Sequence, residues 1–413
     1  MENSDSKNKK IVFLGNMNNL PYYFAGEFKK RGLNITFIVD AERKNLLDRP
    51  ESWDNKLDKS YPHWIKEIVL DDDLKAFKFS LPLIYLQQYI RLINKYDIVF
   101  LNGFWISLAK HLQPGKKVVA IFAGYDLDIL ANYKSIDYLC NNFYQSSSVS
   151  KKLIPRFITR YLFKKLIRQQ QQGIQKAQVV NYYPTGINPT ADKLLNDIKA
   201  GQTFKRLELR GFDCNKFPYI EPVSKNKKFT ILNITRFFYL NNRNDNKRND
   251  IMIKGIGQFL KNNKISPADV EILFFEKGDD TAAAKTLCNQ YGLTPFISWQ
   301  QQTSVEELNN YFAQCDVAFD QLGVQWIGAG LFSMLTGRPV IANGRPDVFE
   351  KLTNEKSPIC QATNEEEVEM WLTKLYNNRY LVKEIGIASR NYVKRHFNID
   401  NTVNYFIENL ELK

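Results

Sequence analysis

The stretch FDQLGVQWIGAGLFSMLTGRPVIANGR, residues 319–345, contains the pattern that decides the fold. An apolar strand ends at Asp320-Gln321, a glycine-rich turn leads into a short helix, and a second apolar strand follows Gly337-Arg338. In α/β proteins this succession of strand, turn and helix points backbone N–H groups at a place where a phosphate can bind. The pattern therefore predicts an α/β fold with an anion site at the end of a strand.

Apolar runs of strand length recur along the chain and alternate with helical segments. They occupy residues 10–14, 34–39, 96–103, 117–126, 177–184, 229–236, 269–278, 315–321 and 338–343. A strand buried on both faces reads as a continuous apolar run, so this succession predicts parallel sheets covered by helices. The polar segment 221–228 separates two such sets of strands. We predict that it links two Rossmann-like domains whose parallel sheets face a central cleft.

Composition excludes several classes of protein. The chain has 413 residues, of which 44% are hydrophobic, enough to form sizeable cores. Its five cysteines are scattered without CxxC pairs, which argues against a disulfide framework or a zinc site. We expect no metal and no cofactor. No run approaches the length of a membrane span, and the polar N-terminal residues do not resemble a signal peptide, so we expect a cytoplasmic protein.

The formal net charge of +13 favours a polyanionic partner. Residues 151–168, KKLIPRFITRYLFKKLIR, contain seven basic residues and no acidic one, and the basic residues recur at helical spacing beside an apolar face. This segment is predicted to be a basic amphipathic helix that contacts an anionic membrane surface. The alternative is a helix that packs on its own sheet with a solvated basic face. Nucleic acid is not expected as a partner, because no nucleic-acid-binding motif accompanies the charge.

Four segments of the second half resemble the donor domain of GT-B glycosyltransferases of family 4. The strand ending at Arg236 and the segment 247–260 resemble that family's arginine, lysine and helix. The segment EILFFEKGDD resembles the strand that closes the nucleotide pocket, and VEELNNYFAQCDVAFDQ resembles the stretch before the donor-phosphate loop. Residues 390–410 resemble the terminal helix that crosses back to the N-terminal domain.

The resemblance implies a GT-B fold and an assignment of its domains. Residues 1–222 are expected to bind the acceptor, residues 223–388 to bind the nucleotide-sugar donor, and residues 389–413 to form the helix that crosses back. The implied activity is that of a hexosyltransferase in surface polysaccharide or glycoconjugate synthesis. It moves a sugar from a nucleotide-diphosphate sugar to a glycan or lipid-linked acceptor, with retention and without metal. A nucleotide-sugar epimerase is less favoured, because the carboxylate and histidine groups for proton abstraction are absent from the expected positions.

Charge chemistry explains why cations are expected at the donor site. The diphosphate of the donor becomes the leaving group, so fixed positive groups directed at it stabilise the transition state. Arg236 and Lys247 are predicted to supply them, although the polar insertion before Lys247 makes its alignment less direct. A surface ion pair is the alternative role for each. The full predicted set of donor-binding residues is Gly15, Asn16, Arg236, Lys247, Lys277, Gly278, Trp299, Asp320, Gln321, Gly328, Ala329 and Gly330.

The helix that begins near Gly328 is expected to hold phosphate oxygens through its unpaired N–H groups. The family's Glu-x7-Glu pattern is lost, because its two positions fall on Val324 and Phe332. In relatives the second glutamate holds the donor ribose, and Phe332 cannot accept those hydrogen bonds. This loss keeps open a non-catalytic reading, in which the chain binds a nucleotide or a sugar as a partner subunit of a glycosyltransferase complex.

In the N-terminal half, the turn after the first strand begins with Gly15, where a glycine lets the backbone approach a ligand closely. Asp126 in the GYDLD loop is predicted to bind an acceptor hydroxyl or to act as a base, and capping of the following helix is its alternative role. Asn102 stands near a position where relatives often have a histidine. No histidine of this chain falls at a strand end. Retaining transfer, in which the departing phosphate takes the acceptor proton, needs no enzymic base.

Overall fold

The structure, a computed structural model, describes residues 9–40, 48–58, 60–68, 70, 74–145, 153–222, 228–241, 245–325 and 327–412. Part of the predicted linker, residues 223–227, lies outside the described residues, as do residues 151 and 152 of the predicted basic helix. The chain divides into two compact units. The first comprises Met1–Tyr183, Pro189–Phe212 and Ile399–Lys413, and the second comprises Pro184–Asn188 and Asp213–Asn398.

The first unit is built on a seven-stranded parallel sheet. Its strands are β1 (Ile11–Leu14), β2 (Ile35–Val39), β3 (Ile65–Glu67), β4 (Ile98–Asn102), β5 (Lys117–Ile121), β6 (Val179–Asn181) and β7 (Lys205–Leu207). They lie in the order β3-β2-β1-β4-β5-β6-β7. The central strand β1 is buried along its whole length, as its continuous apolar run predicts.

Helices cover this sheet. They are α1 (Leu20–Lys30), α2 (Lys75–Ser80), α3 (Pro82–Tyr85), α4 (Gln87–Ile93), α5 (Tyr125–Asp128), α6 (Ile136–Gln145), α7 (Arg156–Lys176) and α8 (Pro189–Ile198). The helix α7 contains most of the predicted basic segment and extends beyond it. Its buried face includes Phe163, Leu166, Ile167 and Ile174, which belong to the core of this unit.

The second unit repeats the same architecture with a six-stranded parallel sheet. Its strands are β8 (Phe229–Asn233), β9 (Val270–Phe275), β10 (Ile297–Gln300), β11 (Val317–Phe319), β12 (Val340–Ala342) and β13 (Cys360–Gln361), in the order β10-β9-β8-β11-β12-β13. The helices are α9 (Asn249–Asn262), α10 (Thr281–Gln290), α11 (Leu308–Gln314), α12 (Ala329–Leu335), α13 (Pro346–Thr353), α14 (Glu365–Asn377) and α15 (Arg379–His396). The predicted parallel α/β class is therefore confirmed in both units.

The segment 390–410, which the sequence presented as one terminal helix, forms the end of α15 and a separate helix, α16 (Ile399–Asn409). The backbone N–H of Ile399 donates to the carbonyl of Phe212 instead of continuing the helical ladder. Phe406 of α16 then packs against Phe24 of α1 and Phe100 of β4, with ring centroids 5.4 and 5.3 Å apart. The second of these two helices thus completes the core of the first unit.

Each sheet has one point at which the order of its strands reverses direction along the chain. In the first unit this switch point lies between β1 and β4, and in the second it lies between β8 and β11. Open α/β sheets bind their ligands outside the carboxyl ends of the strands at such points. The loops that follow these four strands are therefore the places where the topology favours a site.

Candidate functional site

The switch point of the second unit lies among several of the predicted donor-binding residues. Arg236 follows the end of β8 by three residues, and Asp320-Gln321 directly follows β11. Lys247 precedes α9, and its Nζ donates to Oε1 of Gln321 over 2.8 Å. The strand ends thus bring together residues that are 74 positions apart in the sequence.

Arg236 lies close enough to Lys247 and to Lys277 to lower the pKa of each lysine. Burial lowers the pKa of Lys247, and Arg236 lowers it further, while Asp320 acts in the opposite direction. Burial and then Arg236 also lower the pKa of Lys277. A lowered pKa means that protonation of these lysines is disfavoured in the protein relative to water. An anion bound among the three groups would remove that penalty.

Arg236 is the most accessible of the three cations. Its guanidinium lies 4.8 Å from the ring centroid of Phe238 and forms an ion pair with Asp245 over 3.2 Å, and 46% of its side chain is exposed. An ion pair this exposed contributes little to stability, so a ligand can replace Asp245 at low cost. Both roles weighed for Arg236, the surface ion pair and the anion contact, therefore fit its geometry.

The loops that hold Arg236 and Lys277 are joined through their backbones. The N–H of Phe237 donates to the carbonyl of Lys277 over 2.7 Å. Gly278 has a φ of 107°, and a Cβ at this position would lie 2.3 Å from the carbonyl oxygen of Phe237. Only a glycine fits both the backbone angle and the approach, so Gly278 acts by allowing the two loops to meet.

Asp320 binds the N-terminus of α12 from within the protein. Its Oδ2 accepts hydrogen bonds from the N–H groups of Gly328 and Gly330 over 2.9 and 2.7 Å, and its Oδ1 accepts from the N–H of Gln321. Burial raises the pKa of Asp320, and these N–H groups and Lys247 oppose that rise. The N–H groups of Gly328 and Gly330, which we expected to be unpaired and to hold phosphate, are instead hydrogen-bonded to a carboxylate.

The remaining predicted residues of the second unit have different surroundings. Ala329 is the first residue of α12. Trp299, on the edge strand β10, packs against Phe237 and Phe274 with centroids 5.7 and 5.6 Å apart, and the Lys285 ammonium lies 5.0 Å from its ring. The tryptophan is therefore part of the aromatic packing around Phe237.

Phe332 and Val324 are the residues that the resemblance aligns with two glutamates. Phe332 is half-buried, and its ring is stacked on that of Phe217 with a centroid distance of 4.6 Å and an interplanar angle of 8°. Val324 is exposed. An aromatic stack and an exposed aliphatic side chain thus stand at the two positions.

The switch point of the first unit also joins its predicted residues, although through hydrogen bonds instead of repulsion. Oδ1 of Asn102, the last residue of β4, accepts from the N–H of Met17 over 2.7 Å. Gly15 has a φ of 84°, and a Cβ here would lie 2.5 Å from the carbonyl oxygen of Asn102. Asn16 is buried, and its Nδ2 donates to Asn19 and to the carbonyl of Asp48.

Asp126 is fully buried in the same network. Its carboxylate accepts from the N–H groups of Ala123, Gly124 and Gly103 and from Nδ2 of Asn102, over 3.0 to 3.3 Å. Burial raises the pKa of Asp126 to about 6, although these N–H groups oppose the shift. A carboxylate with this many internal donors fixes the loops after β4 and β5. The geometry thus favours a structural role, but not the helix capping weighed for this residue, because Asp126 lies within α5 and its carboxylate binds N–H groups of residues that precede that helix.

A buried arginine that the sequence did not single out lies near Asp126. Arg210 donates to the carbonyl of Phe122 over 2.8 Å, and its guanidinium lies 4.6 Å from the ring centroid of Tyr183. Burial lowers its pKa, and Asp126 and Tyr183 oppose that shift. Arg210 follows β7, an edge strand without a continuous apolar run, so no sequence signal placed it beside this network.

Within the described ranges, no group of three or more histidine, cysteine, aspartate or glutamate side chains is arranged to hold a metal ion. Across the same part of the chain, no helix has the length and apolar character needed to cross a membrane.

Comparison with known proteins shows similarity at the level of structure. No protein-family model matches the sequence. No curated protein matches it either. Among solved structures, the chain is similar to Anabaena Alr3699/HepE in complex with UDP and glucose, with a TM-score of 0.62 and 12% identity over 98% of this chain and 99% of that one. The chain has the GT-B fold.

Two further structures show the breadth of this similarity. A glycosyltransferase from Rickettsia africae matches with a TM-score of 0.60 and 16% identity over 98% of this chain and 99% of that one. The N-terminal domain of Candida albicans trehalose-6-phosphate phosphatase matches with a TM-score of 0.63 and 12% identity over 100% of this chain and 99% of that one. At these identities the similarity shows the fold alone, and function has to be argued from the site.

Proposed function

We propose that the protein is a glycosyltransferase that moves a sugar from a nucleotide-diphosphate sugar to a glycan or lipid-linked acceptor. The observation that carries the proposal is the arrangement of Arg236, Lys247 and Lys277: Lys247 is hydrogen-bonded to Gln321 after β11, and the loop of Lys277 is hydrogen-bonded to Phe237, next to Arg236. A diphosphate is the kind of ligand that three neighbouring cations bind well, because its charge offsets all three at once. The GT-B fold supports the same activity, since other proteins that share it are glycosyltransferases.

The proposed reaction is that of a hexosyltransferase similar to family 4, acting in surface polysaccharide or glycoconjugate synthesis. We propose retention of configuration, with no metal and no cofactor. HepE was crystallised with UDP and glucose, which makes a UDP-sugar the first donor to test. A panel of nucleotide sugars identifies which sugar is transferred.

In this mechanism, the cations of the second unit stabilise the charge that grows on the departing diphosphate. Lys247 is held in place by Gln321, and Arg236 exchanges Asp245 for a phosphate oxygen. Fixed cations of this kind lower the barrier because they need no reorganisation as the charge develops. Asp126 keeps its hydrogen bonds to the loops and does not accept the proton of the acceptor hydroxyl. The departing phosphate receives the proton of the acceptor hydroxyl.

The proposal extends to where the protein works. A lipid-linked acceptor lies at a membrane, and the basic helix α7 supplies positive charge that an anionic membrane surface attracts. We therefore propose a cytoplasmic protein that contacts the inner face of the membrane peripherally through residues 151–168.

A second candidate function is a GT-B partner subunit that binds a nucleotide or sugar without transferring it. Two observations favour it. Phe332 is stacked on Phe217 where relatives have a glutamate, and Asp320 already occupies the N–H groups of Gly328 and Gly330. Both features remove contacts that a donor would otherwise make, while leaving the three cations in place.

An assay of transfer and hydrolysis with a panel of UDP-, GDP-, CMP- and ADP-sugars tests the proposal. We expect turnover of at least one donor by the wild-type protein and a loss of roughly a hundredfold in Lys247→Met, which keeps the length of the side chain but removes its charge. Lys254→Met is the matched control, because Lys254 lies on α9 and is paired with Glu365 over 3.5 Å.

The outcomes separate the two candidates. Saturable nucleotide binding without turnover of any donor would support the partner subunit. Binding that is equally strong in Lys247→Met and the wild type would remove the cation cluster from the site. Absence of both binding and turnover would contradict both candidate functions.

A further inference from the structure

The first unit exposes apolar side chains on two helices, α3 and α7, and α2, which directly precedes α3, packs against α7. Leu83, Ile84 and Tyr85 of α3 are 61%, 69% and 54% exposed, and Phe157 and Tyr161 of α7 are 75% and 61% exposed. Most large apolar side chains of the described residues are buried in the two cores, so five such exposed groups in two short segments need an explanation. We refer to these five residues as the apolar rim.

Contacts in the core hold α7 against α2, the helix that directly precedes α3. Oγ of Ser80, the last residue of α2, donates to the carbonyl of Leu162 in α7 over 2.9 Å. The rings of Phe77 and Phe163 lie 6.0 Å apart beneath it. Because Leu83 follows Ser80 by three residues, its Cα lies within about 11 Å of the Cα of Ser80. The α3 part of the apolar rim therefore follows directly from the helix that packs against α7.

The charged residues of the two segments that carry the apolar rim are all basic. Residues 75–96 contain four basic residues and no acidic one, and residues 153–191 contain six basic residues and no acidic one. Arg160 forms an ion pair with Asp137 of α6. Burial lowers the pKa of Lys110, and Arg168 and Lys165 of α7 lower it further. These three cations therefore lie near one another.

We infer that the apolar rim is a docking surface for an anionic lipid bilayer, with Leu83 and Ile84 inserted among the acyl chains. A bilayer offers apolar, interfacial and phosphate layers. Exposed aliphatic residues, exposed aromatic rings and segments whose charged residues are all basic suit these three layers. The absence of carboxylates from residues 75–96 and 153–191 selects an anionic lipid over a protein, whose surface would offer both signs of charge.

The inference rests on the peripheral membrane contact proposed above for α7. It adds α3 as the element that inserts into the bilayer. It does not depend on transferase activity, because vesicle binding is measured without a donor. Failure of the donor assay would leave it standing, and its own failure would leave the donor site unaffected.

Flotation of the full chain with phosphatidylcholine vesicles, with and without phosphatidylglycerol, tests it. We expect binding only to the anionic vesicles and weaker binding as salt is raised. Leu83→Ser with Ile84→Ser should weaken that binding by about tenfold or more, because two exposed aliphatic groups no longer enter the apolar layer. Phe157→Ser with Tyr161→Ser should weaken it to a similar degree.

Two comparison variants isolate the two contributions. Charge reversal at Arg160, Lys164 and Arg168 should abolish binding. Tyr380→Ser with Ile387→Ser, which removes two exposed apolar groups of the second unit, should bind vesicles like the wild type. Thermal melting of each variant checks that the chain remains folded.

The inference is overturned if the wild type does not float with anionic vesicles, or if the α3 variant floats as well as the wild type while the charge reversal abolishes binding. It is also overturned if the wild type forms dimers in sedimentation velocity that the α3 variant loses without any vesicle binding. In that last case the occupant of the apolar rim is a second copy of the chain.

Discussion

At the ends of β1 and β4, in the first unit, polar side chains bind one another, whereas at the ends of β8 and β11, in the second unit, three cations crowd together. The carboxylate of Asp126 and the amide of Asn102 share their hydrogen bonds with neighbouring backbone groups. Burial lowers the pKa of Lys247 and of Lys277, and the charge of Arg236 lowers both further. The same topology thus supports two different electrostatic arrangements.

The difference indicates what each arrangement is suited to do. A network in which the donors and acceptors satisfy one another is stable by itself and fixes the loops that contain it. A cluster of like charges is costly by itself and becomes favourable when an anion binds. We therefore expect substitutions in the first unit to alter stability and substitutions in the second to alter ligand binding.

The largest expected effect is on the stability of the first unit. Asp126→Ala leaves the N–H groups of Ala123, Gly124 and Gly103 without their acceptor, which should lower the free energy of unfolding by about 3–5 kcal/mol. Urea denaturation measures it. The control is Asp197→Ala, which removes an exposed ion pair with Lys193 and should change stability by about 0.5 kcal/mol or less. Equal midpoints for the two variants would contradict the structural role of Asp126.

The next effect is on turnover and leaves stability unchanged. Arg236→Ala removes one hydrogen-bonded cation from a developing charge, so kcat/KM should fall by roughly a hundredfold or more, equivalent to about 2–4 kcal/mol. Lys261→Ala, at an exposed position of α9, is the control in steady-state assays with the best donor of the panel. A well-folded Arg236→Ala variant with wild-type kinetics would exclude Arg236 from the site.

A third effect follows from the raised pKa of Asp126. The folded state, with a pKa of about 6, holds the proton more tightly than the unfolded state, in which the pKa is 3.8. The stabilisation is therefore fully present below the unfolded pKa and is lost as the pH rises through the folded pKa. Between pH 4 and pH 7 the wild type should lose about 2–3 kcal/mol relative to Asp126→Asn. Parallel pH profiles of the two proteins in chemical denaturation would show that Asp126 does not titrate in this range.

The smallest effect concerns Phe332. Phe332→Glu loses the stack on Phe217 and places a carboxylate at a half-buried position, which should cost about 1–2 kcal/mol. Phe332→Gln separates the loss of the stack from the effect of charge. We expect the glutamate variant to gain more thermal stabilisation from UDP than the glutamine variant does. A large loss of melting temperature with every ligand would instead show that position 332 belongs to the core.

The central strands of both sheets could be predicted from the sequence, but the edge strands could not. All nine predicted strands are present, and the missed ones are β3, β7, β10 and β13. All four lie at an outer edge of a sheet. Edge strands face solvent, and β3 accordingly has one buried residue followed by two exposed ones. A search for continuous apolar runs cannot find such strands.

The location of Arg236, Asp320 and Gln321 after the ends of strands could be predicted from the sequence, but their hydrogen bonds could not. The strand ends placed Arg236, Asp320 and Gln321 together because the carboxyl ends of parallel strands meet at one edge of a sheet. The sequence gives no sign that the carboxylate of Asp320 turns towards Gly328 and Gly330. That contact depends on the path of the intervening loop. The hydrogen bonds of Asp126 similarly come from Asn102 and Gly103, more than twenty residues earlier.

The pairing of α16 with the first unit has a consequence for biosynthesis. Phe406 packs against Phe24 and Phe100, yet the ribosome makes those two residues long before it makes Phe406. Domains that are contiguous in sequence fold as they emerge during translation. Here the second unit emerges in full while the first still lacks α16. The apolar surface that Phe406 covers in the folded protein therefore stays exposed in the nascent first unit until the residues of α16 leave the ribosomal tunnel. A chaperone can bind this surface during that time.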